Sequence, residues 1–178
     1  TALGKSAGLL TTGSRNTWLG ALCGDANTGG TNSVGVGYAA LTNATGSQNT
    51  AVGASALQSN TTGASNTAIG TSSGNGITTG NHNVSIGYLA NNEVTTLTTG
   101  SHNIAIGNFS RASTADSTYA TVIGYNVAGA AGYFTIGRDA LDIRAAHGST
   151  TWSTVSDERY KKDIVDSTAG LGFINALQ

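Results

Sequence analysis

Short alternations of hydrophobic and small residues recur along residues 1–137, and each of them ends at a glycine. The residue before this glycine is always aliphatic, the residue two before it is mostly small, and the residue three before it is mostly β-branched. We call these the anchor glycines: Gly4, Gly20, Gly37, Gly53, Gly70, Gly87, Gly107, Gly124 and Gly137. Alternation with a period of two residues is typical of a strand, so each phrase predicts a short strand with one aliphatic face and one small-residue face.

The spacing of the anchor glycines, mostly 16 or 17 residues, predicts the architecture. A unit this short cannot bury an apolar face alone, whereas stacked units bury the aliphatic position of each against the next. The chain has no proline, as expected where the backbone of every strand donates and accepts hydrogen bonds on both sides. The pattern predicts an all-β fold, a parallel β-roll or β-solenoid of about nine coils, one per anchor glycine, with a shorter second strand or arm after each glycine.

A glycine and an asparagine three residues apart recur between the phrases, as in Gly63 and Asn66. The asparagines at this register are Asn16, Asn32, Asn49, Asn66, Asn83 and Asn103. Glycine tolerates positive φ, and asparagine bonds its own local backbone and tolerates the left-handed region, so the pair predicts a repeated structural corner. The small-residue face in turn predicts oligomerisation, with a strip of Ala and Gly packed against identical chains.

Composition narrows the function classes. The net charge is −1 and the eight Lys and Arg are not massed within the repeats, so nucleic-acid binding is not indicated. No apolar run approaches the roughly 18 residues that a membrane span needs. Cys23, the single cysteine, replaces an otherwise Ala or Ser position and is predicted to be a small packed side chain. The acidic residues of the repeats, Asp25, Glu93 and Asp116, lie far apart in sequence, which disfavours the paired carboxylates of a glycosidase.

Several features are candidates for recognition. Three tyrosines directly follow anchor glycines, and they either contact bacterial-surface sugar or protein or cover the solenoid edge: Tyr38, Tyr88 and Tyr125. The segment 91–97 enlarges one coil and is a second candidate, because loops on a rigid scaffold often carry function. His82 and His102 share a register and would form two rings in a trimer. We expect no metal or cofactor, since corners point outward and metal ligands must converge.

The phrases "NTAVGASAL" and "TTGASNTAIG" resemble the repeats of trimeric autotransporter adhesin heads, whose signature is Asn-Ser/Thr-x-Ala-Ile/Val-Gly. The resemblance covers about residues 1–137, and the longer unit here is more similar to the variant found in bacteriophage tail fibres. It implies a left-handed parallel β-roll, a homotrimer and an extracellular location in the virion tail fibre. The implied partners are identical chains and a bacterial cell-surface receptor such as a glycan, with no nucleic acid and no membrane insertion.

A sharp change in charge marks a boundary near residue 137. Residues 1–137 hold 6 of the 17 charged residues, and the last 41 residues hold the other 11. We divide the chain into a repeat region (1–137), a connector (138–155) and a third segment (156–178). The third segment opens with "SDERYKKDI", which resembles the Ser-Asp-x-Arg-x-Lys-x-x-Ile opening of the self-cleaving intramolecular chaperone domain of phage tailspikes, endosialidases and tail fibres. The matching residues are Ser156, Asp157, Arg159, Lys161 and Ile164.

This second resemblance implies chemistry at the junction. The chain would be cut between Ser156 and Asp157, with Ser156 as nucleophile and Lys161 as general base. Residues 166–178 predict a short helix, with Asp166 or Ser167 as its N-cap. The resemblances together imply a structural and adhesive tail-fibre segment that is not itself an enzyme. The alternatives are the head of a cellular trimeric surface adhesin and the non-catalytic part of a tailspike glycosidase.

Overall fold

A computed structural model describes residues 1–92 and 97–154, and these residues form a parallel β-solenoid without any helix. In chain order the strands are β1 (Ala2–Leu3), β2 (Thr17–Leu19), β3 (Val34–Val36), β4 (Thr50–Val52), β5 (Thr67–Ile69), β6 (Val84–Ile86), β7 (Ile104–Ile106), β8 (Arg111–Ala112), β9 (Thr121–Tyr125), β10 (Ala128–Gly129), β11 (Tyr133–Arg138), β12 (Leu141–Ala146) and β13 (Ser153–Thr154). The predicted all-β solenoid is confirmed.

Nine of these strands stack in parallel and in register, in the order β1 to β7, then β9 and β11. The chain makes eight turns between them, one fewer than the number of anchor glycines, because it reverses after β11 and pairs antiparallel with β12. β13 then pairs antiparallel with β12, so residues that we assigned to the connector extend the same sheet. At about 4.8 Å per step, the parallel stack is roughly 40 Å long.

The predicted second strand after each anchor glycine forms in only two of the described coils. β8 and β10 pair in parallel as a separate two-stranded sheet. In the earlier coils the return arm consists of consecutive turns that still bond from coil to coil, as in Gly24 N–H to Ala40 O at 2.9 Å and Gly74 N–H to Ala90 O at 2.8 Å. The arm is therefore hydrogen-bonded to its neighbours without being extended.

The two strand faces are oriented oppositely to the prediction. The small residues of the strands point into the solenoid and are buried: Ala51, Ala68, Ser85 and Ala105. Val122 is buried at the same inward position in β9. The aliphatic residues point outward, and Ile69 and Ile106 are 41% and 36% exposed. The predicted oligomerisation through a strip of Ala and Gly is therefore wrong, because that strip is the inner wall of the coil.

The return arm explains this orientation. Its large side chains fill the interior and are almost completely buried: Leu41, Leu57, Ile77 and Leu97. A coil of 16 or 17 residues is narrow, so close packing leaves room for only small side chains on the opposite strand. Trp18 in β2 is an exception, at 2% exposure, and Gly8, Gly24 and Gly35 make space around its ring. Cys23 is buried in the same interior, as predicted, and burial raises the pKa of its thiol.

The corners also differ in detail from the prediction. Asn32 has the predicted left-handed conformation, with a φ of +56°. In the other corners the left-handed residue is the one before the asparagine: Arg15, Gln48, Ser65, His82 and His102. The corner glycine is selected by close packing rather than by positive φ, since a Cβ on Gly63 would lie 2.4 Å from Gly80 O. Asn66 bonds to the next coil, with Nδ2 donating to Gly80 O at 2.8 Å and Oδ1 accepting from Asn83 N at 2.9 Å.

These asparagines form a buried ladder along the solenoid. The same inter-coil pair of bonds is made by Asn16, Asn49, Asn83 and Asn103. Ser33 takes the place of the asparagine in one coil and accepts from Asn49 N at 3.2 Å. The ladder pairs buried corner backbone groups that would otherwise lack partners, which explains why asparagine recurs at this register.

Candidate functional site

The aliphatic side chains that point outward from the parallel strands form one continuous apolar surface, which we call the aliphatic face. It comprises Leu3, Leu19, Val34, Val36, Val52, Ile69, Val84, Ile86, Ile104, Ile106, Ile123 and Ile136. Four threonines also point outward beside it: Thr17, Thr50, Thr67 and Thr121. Parallel pairing in register places each of these side chains directly beside its counterpart, as in Val52 with Ile69 and Ile86 with Ile106. Strands β1 to β7 and β9 contain no charged residue. A single chain thus presents an uncharged apolar surface along β1 to β7 and β9, a feature typical of an interaction site.

Three rings cluster at the corner that follows the strands, and we call this cluster the aromatic corner. Tyr88, Phe109 and Tyr125 come from three consecutive coils. Phe109 packs edge-to-face with Tyr88 at 5.4 Å between ring centroids, and with Tyr125 at 6.1 Å. Tyr88 and Tyr125 remain 47% and 49% exposed. The cluster is therefore a solvent-facing aromatic surface rather than part of the core.

Three further rings stack at the corner that precedes the same strands, and we call this set the ring ladder. His82 and His102 stack with centroids 4.9 Å apart and planes 22° apart. Tyr119 continues the stack on His102 at 5.0 Å and 20°. All three residues are exposed and have a positive φ, which turns their side chains out of the corner. The ladder thus presents its ring edges, with imidazole nitrogens and a phenolic hydroxyl, to solvent.

The structure brings together some of the predicted recognition residues and separates others. Tyr88 and Tyr125 meet through Phe109, whereas Tyr38 lies three coils before Tyr88, with Ala54 and Thr71 at the intervening positions. Sequence reasoning missed Phe109 and Tyr119. The signal was present in the repeat register, because Phe109 follows Gly107 by two residues and Tyr119 occupies the position of His82 and His102.

The structure says less about the remaining predicted features. The self-cleavage residues Ser156, Asp157, Arg159, Lys161 and Ile164 and the predicted helix at 166–178 lie outside the described residues. In the segment 91–97, residues 93–96 are likewise outside, while Asn91 and Leu97 are buried and contribute to the core. Among residues 1–92 and 97–154, no three His, Cys, Asp or Glu side chains are grouped as metal ligands. The same residues include no helix that is long and apolar enough to cross a membrane.

Comparison with known proteins returns no relative for this chain. No family model, curated protein sequence or solved structure matches it. The resemblance to adhesin heads and tail fibres therefore rests on the sequence phrases alone. What is established for this chain is a parallel β-solenoid with an exposed aliphatic face that is flanked by two sets of aromatic rings.

Proposed function

We propose that this chain is a structural and adhesive segment of a phage tail fibre, a trimeric rod that attaches to the bacterial cell surface. The observation that carries the proposal is the aliphatic face, which runs the length of the stack without a charged residue in strands β1 to β7 and β9. Burial of this face between identical chains removes it from water and gives a long, uncharged axis to the rod. The number of chains and the viral setting come from the resemblances in the sequence.

The energetics favour association. Complete burial of one aliphatic side chain that is now about 40% exposed contributes about 1 kcal/mol. The face has nine rows, so the sum of about 9 kcal/mol per chain is of the same size as the roughly 4 to 15 kcal/mol that association costs in lost freedom. The rows are also evenly spaced and in register, so identical copies can align in parallel along a common axis.

Placing a charge in the middle of the aliphatic face tests the proposal. Ile69→Asp is expected to convert a trimer of the full chain into monomers, because three carboxylates would be buried around one axis. Analytical ultracentrifugation measures the mass. Thr79→Asp is the matched control, since Thr79 is exposed in the same coil but lies on the return arm, and this variant should remain trimeric. A wild-type chain that is monomeric or dimeric would contradict the trimeric rod.

The proposal also includes C-terminal self-cleavage, based on the match of "SDERYKKDI" to the chaperone motif. Incubation of the purified chain should release a fragment that begins at Asp157, measured by intact mass spectrometry. Ser156→Ala and Lys161→Ala should each abolish this release, because they remove the nucleophile and the general base. Ser167→Ala is the control and should be cut normally. A wild-type chain that stays intact would contradict self-cleavage and leave the rod unaffected.

A further inference from the structure

The aromatic corner and the ring ladder occupy the same three coils on opposite sides of the aliphatic face. His82 precedes β6 and Tyr88 follows it. His102 and Phe109 bracket β7. Tyr119 precedes β9, and Tyr125 is the last residue of that strand. The six rings are thus matched row by row along the stack. In the coils before β6, Tyr38 is the one aromatic residue at the equivalent corner positions. No ring faces it across β3, because Asn32 holds the position of the ring ladder there.

A threefold arrangement brings these two sets together. When three copies pack their aliphatic faces around one axis, the corner after the strands in one subunit lies beside the corner before the strands in the next. Parallel alignment keeps the rows at equal height. We propose that each pair of subunits forms a cleft between the aromatic corner of one copy and the ring ladder of its neighbour, and that this cleft binds an oligosaccharide. The inference rests on the proposed trimeric function and assigns its ligand class and site.

The chemistry of both walls suits a sugar chain. Tyr88 and Tyr125 are about half exposed, and their edge-to-face contacts with Phe109 leave apolar ring surface for the C–H faces of pyranose rings. The ring ladder presents nitrogen and hydroxyl groups at its edges, which can donate to and accept from sugar hydroxyls. Its rings repeat every 4.9 to 5.0 Å, about the length of one hexose unit in a chain. Each coil could therefore contact one sugar.

Other ligand classes fit less well. The coils of β6, β7 and β9 contain one cation, Arg111, whose Nη1 donates to Phe109 O and Asn126 Oδ1. A nucleic acid needs several phosphate contacts, so one arginine disfavours it. The strands beneath the cleft are paired on both sides, so no free strand edge is offered to an extended peptide. Amide side chains line the approach, with Asn108 Oδ1 accepting from Tyr88 N at 3.2 Å and Asn126 Nδ2 donating to Asp139 Oδ1 at 3.0 Å. An aromatic surface bordered by amides favours a hydroxyl-rich ligand.

The test uses the full chain, first shown by ultracentrifugation to be trimeric, on an array of capsular and O-antigen oligosaccharides from bacterial surfaces. Wild type is expected to bind a subset of them. Tyr125→Ala on one wall and His102→Ala on the other should each weaken binding about tenfold or more while the trimer is retained. Tyr38→Ala is the matched control, because Tyr38 also follows an anchor glycine and is 58% exposed, and it should bind as wild type does.

The outcomes distinguish failure of the proposed cleft from failure of the proposed trimeric rod. Trimers that bind no oligosaccharide on the array, or that bind equally well after Tyr125→Ala and His102→Ala, contradict the proposed cleft. Either result leaves the proposed trimeric rod unaffected. Dissociation of the trimer by Tyr125→Ala also contradicts the proposed cleft, since the rings would then be a packing contact between subunits. A monomeric wild-type chain overturns the proposed function itself.

Discussion

Replacing Gly53 by alanine is expected to destabilise the solenoid by about 3 to 5 kcal/mol, because backbone strain and a backbone clash add at one position. Gly53 has a φ of +138°, a conformation that residues with a Cβ rarely adopt. A Cβ built there would lie 2.4 Å from Gly70 O and 2.5 Å from Gly70 C in the next coil. Neither atom can move aside without separating two stacked coils. Urea unfolding followed by circular dichroism, at one fixed chain concentration, measures the change.

Gly132→Ala is the matched control for this prediction. Gly132 also has a positive φ, +75°, but a Cβ there would meet no atom within 4 Å. This variant should lose only about 1 to 2 kcal/mol of stability, which is the strain of the left-handed conformation. Equal losses in the two variants would show that conformation alone, and not the approach of the next coil, selects glycine at the anchor positions.

Replacing Asn66 by leucine is expected to lower the free energy of unfolding by about 3 to 5 kcal/mol. The loss is expected although leucine is similar in size to asparagine and an apolar side chain suits a buried position. Asn66 is fully buried and makes three bonds to later coils: Nδ2 to Gly80 O, and Oδ1 from both the backbone N–H and Nδ2 of Asn83. Leucine would leave a buried carbonyl and a buried N–H without partners, at about 1 to 3 kcal/mol each. The same unfolding measurement applies, and a neutral effect would contradict a structural role for the asparagine ladder.

Asn60→Leu in the same coil provides the contrast. Asn60 is also fully buried, but neither its Nδ2 nor its Oδ1 has a hydrogen-bond partner among the described residues. Ile77 holds the equivalent turn position in the next coil. Leucine removes two unpaired polar atoms from the interior, so this variant should be neutral or more stable by about 1 to 2 kcal/mol. The two substitutions are chemically identical, and only Asn66→Leu should destabilise the fold.

Much of the fold could be predicted because each coil repeats the same short sequence pattern. The alternation in "TAI" at β5 predicted a strand, and the regular spacing of the anchor glycines predicted parallel stacking in register, which β4 and β6 confirm on either side. The end of the stack was less predictable. Gly137 follows the same phrase as the other anchor glycines, yet the chain reverses after it, because pairing with β12 depends on residues beyond the repeat.

The candidate site could be predicted only in part. The tyrosines after the anchor glycines were identified from the sequence, but their grouping was not, since Phe109 sits one position out of their register and still packs between Tyr88 and Tyr125. His82 and His102 were predicted to share a register in successive corners, and the structure adds that they stack and that Tyr119 extends the stack. These ring contacts join residues 16 to 21 positions apart, so they exist only once the coils are stacked.

The sequence by itself determined the repeat, the strands, the parallel register and the positions of glycine and asparagine, because these follow from local periodicity and backbone conformation. Only the tertiary structure decided which strand face is inside. An alternating strand is compatible with either orientation, and the choice depends on the return arm, whose Leu41, Leu57, Ile77 and Leu97 occupy the interior and leave space for small residues alone. Close packing across the coil therefore turned the aliphatic residues outward and created the surface on which the proposed function rests.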